Sequence, residues 1–142
     1  MNKIEREAYF LALEDELLLG GASFSEWCTF ISKSVYDAFV NEADIATVIT
    51  ATTCIETYFK AESPENRKKS LAQLIDDATG LSDEEKSQLH RLRQYRNAWV
   101  HADRIDDTEL LKDESSYAKE VEEMAILSIR LLLTVLFSNP FI

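Results

Sequence analysis

Apolar residues recur at three- and four-residue steps along most of this chain, the period of helices with one buried face. A first helix is predicted from Lys3 to Leu19 and stops at Gly20-Gly21, where positive φ is available. Ser23 and Ser25 then offer N-caps. Trp27, Phe30, Ile31, Val35, Ala38 and Phe39 trace the buried face of a second helix that starts at Glu26. Asn41-Glu42-Ala43-Asp44 reads as a break with Asp44 as the next cap, after which Ile45, Val48, Ile49, Thr52, Ile55 and Phe59 resume the period. Ser63-Pro64-Glu65 is a start signal for a helix that Gly80 closes. Ser82-Asp83-Glu84-Glu85 is a capping box, since the serine oxygen can accept from the N–H three residues on while Glu85 reaches back. The helix it opens has Leu89, Leu92, Trp99 and Val100 on its apolar side. An acidic connector from Asp103 to Glu114 precedes a last helix, opened by Ser115 or Ser116, that runs to Ser138 before Pro140.

Composition narrows the class. With 3 Gly and 2 Pro in 142 residues the chain is poor in turn formers, so the expectation is one all-α domain, an up-and-down bundle of about five to six helices. Residues 44–138 would form its main body, with the helices of 3–41 packed against it. The run Met124 to Phe137 contains Arg130 and is too short to span a bilayer. Because it is apolar nearly all round, one side of it is expected to be completed by a second copy, giving a homodimer. The first ten residues lack the apolar stretch of a signal peptide, which points to a cytoplasmic location. Cys28 and Cys54 share no CxxC spacing and read as small apolar side chains. Glu14-Asp15-Glu16, Asp76-Asp77 and Asp106-Asp107 read as solvated surface rather than metal ligands, because adjacent acids on a helix face different ways. No metal or cofactor is expected.

Charge changes the picture in one place. The net −11 argues against a polyanionic partner, yet it is unevenly spread: residues 1–63 carry −7, 64–85 carry −3, 86–104 carry +4 and 105–142 carry −5. The basic island holds Arg91, Arg93, Arg96 and Arg104, and within it Asn97 and His101 lie one helical turn apart. Arg96 and His101 are five residues apart, about 140° around a straight helix. Either the helix ends near Val100 so that His101 turns away, or a second subunit completes a shared cleft. The alternative is structural, with Arg96 paired to a carboxylate and His101 capping its own helix.

The string Leu92-Arg93-Gln94-Tyr95-Arg96-Asn97-Ala98-Trp99-Val100-His101, followed by a connector and a long apolar helix, resembles the Arg-x4-His signature of HEPN domains. The apolar run Ile45 to Phe59, with Cys54-Ile55-Glu56 near its end, is similar to the helix before the motif in that superfamily. The resemblance covers residues 44–138. It implies a small helical, commonly dimeric, metal-independent ribonuclease of toxin–antitoxin or antiviral defence systems, with RNA as substrate and a protein antitoxin or regulator as a further partner. On this chain His101 would exchange the proton, Arg96 would stabilise the phosphorane and Asn97 would orient the imidazole or the phosphate. Arg91, Arg93 and Arg104 would extend a backbone-binding track, and Glu56 would stand behind the site. Trp99 and Tyr95, at helical spacing, read as core in preference to base-stacking platforms. The competing reading is a non-catalytic interaction or neutralising subunit of the same architecture.

Overall fold

A computed structural model describes residues 1–23, 25–101 and 114–139. Six α-helices are present among them: α1 (Lys3–Leu17), α2 (Glu26–Val40), α3 (Asp44–Glu62), α4 (Leu71–Asp77), α5 (Asp83–Val100) and α6 (Glu114–Leu136), with one 3-10 turn, Pro64–Lys68, between α3 and α4. The fold is an all-α helical bundle. Its centre is α3, which packs against α2 on one side and α6 on the other, while α5 lies against α3, α4 and α6. Val48, Ala51, Cys54 and Ile55 of α3 meet Cys28, Val35 and Phe39 of α2 and Ile129, Leu132 and Val135 of α6 in one buried cluster. α1 is held at the edge by α2 and α6.

The local start signals act as the sequence suggests in two places. Ser25 accepts from the Cys28 N–H at 3.2 Å. Ser82 and Glu85 form the reciprocal box, with the Ser82 hydroxyl 3.1 Å from the Glu85 nitrogen and the Glu85 carboxylate 2.7 Å from the Ser82 nitrogen. Gly80 has φ +81°, and a Cβ there would stand 3.1 Å from the Ser138 carbonyl oxygen, so both conformation and space demand glycine.

Three expectations are corrected. The helix foreseen from Ser63 to Gly80 is broken, because Ser70 and Gln73 make a second capping box that restarts the chain at Leu71; Ser63 makes no capping bond. Asp44 is not a cap: it is the first residue of α3, and its carboxylate is taken by Arg6 at 2.6 Å. Trp27 and Phe30 do not face the core but stand 76% and 80% exposed, because α2 buries Cys28, Val35 and Phe39, the opposite side of the helix. α6 itself is packed between α1, α3 and α5.

The end of α2 shows how a non-glycine is held in the left-handed region. The Ala43 N–H bonds the Ala38 carbonyl at 2.9 Å and the Glu42 N–H bonds that of Phe39 at 3.1 Å, the two bonds of a Schellman cap. Glu42 stands at the left-handed position with φ 62°. A Cβ costs about 1 kcal/mol there. Glu42→Gly is therefore expected to raise stability by roughly 0.5 kcal/mol after the larger unfolded-state entropy of glycine is counted, read as a higher urea midpoint at unchanged m.

Between α1 and α6, Arg130 donates to Glu16 at 2.7 Å, and this hydrogen bond holds the Glu16 carboxyl below its ordinary value. A depressed folded pKa contributes stability above the unfolded value and loses it as pH falls. The stability difference between wild type and Glu16→Gln should thus be small, present at neutral pH, and close as pH drops below 4.5, followed by urea midpoints across that range.

Candidate functional site

The motif helix α5 is fixed at its start by the Ser82 box and through its middle by Leu89 and Leu92, both buried. Its polar side is tied to α4: Lys86 donates to the Asp76 carbonyl at 2.9 Å, and His90 Nε2 lies 2.7 Å from an Asp76 carboxylate oxygen. Arg93 Nε donates to His90 Nδ1 at 3.4 Å. That acceptor role places the His90 proton on Nε2, facing Asp76. His90 thereby latches α5 to α4 with Arg93 beside it, a link that the sequence pattern of Asp76 and His90 on separate helices did not reveal. Asp77 pairs with Lys69 at 3.0 Å, as a surface carboxylate does.

Arg96 is placed differently. It follows Leu92 by four residues and Leu89 by seven, so it sits on the core-facing side of α5 and is half-buried. Its Nε is buried with no hydrogen-bond partner, and no carboxylate pairs with its guanidinium among the described residues. The structural alternative for Arg96, an ion pair with a neighbouring helix, is not what these residues show. Arg91 is exposed; Arg104 lies outside the described residues.

His101 is the C-cap of α5 and is exposed, with φ −95° and ψ 4°. Its N–H still bonds the Asn97 carbonyl at 2.9 Å. Ending the helix at Val100 therefore does not swing His101 off the helical path, and Arg96 and His101 leave the axis in directions about 140° apart. No side-chain hydrogen bond joins Arg96, Asn97 and His101 among the described residues. Glu56 pairs with Lys60, one turn on in α3, at 3.5 Å. Trp99 meets Tyr95 edge to face, centroids 6.4 Å apart, and is half-buried rather than core, while Val100 is 48% exposed.

Cys28 and Cys54 are both free thiols in the α2–α3 seam, each reaching the other's carbonyl oxygen, at 4.0 and 3.6 Å. Burial, reinforced by Cys28, pushes the Cys54 thiol up to about 12, which suits a packing role and not a nucleophile. No group of three or more His, Cys, Asp and Glu stands together in a metal-holding arrangement among the described residues. No helix among them is long and apolar enough to cross a membrane.

No family model, curated protein or solved structure matches this chain.

Proposed function

We propose that the chain is a metal-independent endoribonuclease of HEPN type, acting by attack of the ribose 2′-hydroxyl, with Arg96 and His101 supplied to one cleft by two copies. The observation that carries this reading is Arg96: a half-buried guanidinium without a carboxylate partner among the described residues, in the one net-positive segment of an acidic chain. A cation held this way is prepared to receive an anion, and its planar fork suits phosphate oxygens. Exposed His101 at the end of the same helix supplies an imidazole, a side chain suited to proton transfer. Their divergence on α5 is what makes a second copy necessary. His101 takes the 2′-hydroxyl proton as that oxygen attacks phosphorus and delivers a proton to the 5′-oxygen as the P–O5′ bond breaks, while Arg96 balances the growing phosphorane charge and Asn97 orients one of them.

The test is cleavage of single-stranded RNA by the purified protein in EDTA, with the ends identified. Termini of 2′,3′-cyclic phosphate or 3′-phosphate support the reading; no cleavage, or cleavage that EDTA abolishes, rejects it. A second reading, a non-catalytic interaction or neutralising subunit, is favoured by a different observation. Ile4, Leu11, Leu19, Trp27 and Phe30 are 60–80% exposed on α1, α2 and the segment between them, more apolar surface than a solitary bundle of this size needs.

A further inference from the structure

The first turns of α3 and α6 and the last turn of α5 enclose an open hollow of about 530 Å³, within the range of small-ligand sites. Trp99 and Tyr117 supply aromatic rings, Ile45 and Val121 aliphatic walls, and Asp44 and Glu114 the charged groups. Among the described residues no Lys, Arg or His lines it. The two carboxylates are not equivalent. That of Asp44 is spoken for by Arg6, whereas Glu114 has no ion pair among the described residues. α3 begins without a side-chain cap, and its first helical bond is from the Thr47 N–H to the Ala43 carbonyl, which leaves the N–H groups of the turn before it without intrahelical acceptors.

The hollow thus combines rings for stacking with a carboxylate that accepts, and the uncapped start of α3 borders it. An aliphatic ligand leaves the polar groups unused, and a phosphate meets an uncompensated carboxylate. A planar, uncharged heteroaromatic with donors and acceptors on one edge uses all three. We propose that this hollow binds a nucleobase, and guanine in preference to the others. Of the four bases only guanine sets two neighbouring donors, N1–H and N2–H2, beside an acceptor, O6. The donors suit the Glu114 carboxylate and O6 suits the open N–H groups of α3. The proposal extends the reading of the chain as an RNA-handling protein, since Trp99 precedes His101 by two residues and a base seated there lies next to the end of the motif helix.

The test does not depend on cleavage. The protein has two Trp, so its indole N–H resonances form a pair that Trp27→Phe assigns. Titration with GMP, AMP, CMP and UMP, which share the phosphate, should move the Trp99 resonance saturably, with GMP bound at least about fivefold more tightly than the others. Glu114→Gln should bring GMP to the level of AMP. Ala118→Phe, at an exposed lining position, should abolish the shift for all four, and Ala46→Phe, at another, provides an independent filling of the same space. Saturable GMP binding in a protein that cleaves no RNA sustains the pocket and removes the nuclease. Cleavage of RNA with no Trp99 shift, equal affinity for the four nucleotides, or unchanged GMP binding in both filled variants overturns the pocket.

Discussion

Arg6→Ala should lower the thermal midpoint by roughly 10–15 °C, the effect of losing about 3–5 kcal/mol in a chain of this length. Arg6 is 1% exposed, yet every direction of its guanidinium is used. It donates to the Phe39 carbonyl at 2.9 Å, to both Asp44 oxygens at 2.6 and 3.3 Å and to the Met1 carbonyl at 3.1 Å, and it lies 3.6 Å from Glu122. Its carbon centre sits 5.0 Å from the Phe39 ring centroid. One side chain therefore joins α1 to the end of α2, the start of α3 and the side of α6. Removing it leaves the Phe39 carbonyl and a mostly buried Asp44 carboxylate without their partner, and that abandoned charge is the larger part of the loss. Asp44→Asn, which leaves the other Arg6 contacts in place, should cost less. Adding Asp44→Asn to Arg6→Ala should restore part of the stability, because the uncompensated carboxylate is then gone. Urea unfolding of the four proteins decides it: a double variant as unstable as the sum of the two singles would show that the charge was not the cause.

This hub marks the limit of what periodicity reveals. Arg6 stands in a charged stretch, Lys3-Ile4-Glu5-Arg6-Glu7, which reads as a solvated helix face, and only the docking of three other helices turns it inward. Asp44 looked like a cap because it follows a break, and tertiary pairing claimed it instead. Capping signals of two or more reciprocal residues were legible, as at Ser82 with Glu85, since their partners lie within one turn. The Ser70 and Gln73 box has the same form but was hidden behind the Ser63-Pro64 start signal, which yields a 3-10 turn only. Trp27 and Phe30 fit the helical period and still face outward, for a period gives the spacing of an apolar stripe and not the side that meets the core. At the candidate site, the sequence located the helix, its end and the exposed histidine. The inward position of Arg96 was implicit in its spacing from Leu89 and Leu92, but a cation at an apolar position is normally discounted. The hollow beside Trp99 brings the first turn of α3 to α5 and α6 residues more than fifty positions later, and no local pattern encodes such a meeting.

Chains carrying Arg96→Ala and chains carrying His101→Ala, each inactive alone, should regain about one quarter of wild-type RNA cleavage when mixed and allowed to exchange subunits. The expectation follows from the divergence of the two side chains on α5. If each cleft takes Arg96 from one copy and His101 from the other, a mixed dimer has one cleft with both groups intact and one with neither. Random exchange makes half the dimers mixed, so a quarter of all clefts are whole. Separately, each variant should lose roughly 10²-fold or more, through the missing proton carrier in one case and the missing phosphate cation in the other. Arg96→Lys should recover little, since a point charge does not reproduce a bidentate fork. Far-UV spectra should stay helical for both: His101 is exposed, and the Arg96 Nε has no hydrogen bond to lose. Cleavage is measured on single-stranded RNA in EDTA, alongside light scattering to count copies. A monomer of 16.2 kDa that cleaves, or loss without recovery on mixing, places both groups in one chain and rules out the shared cleft.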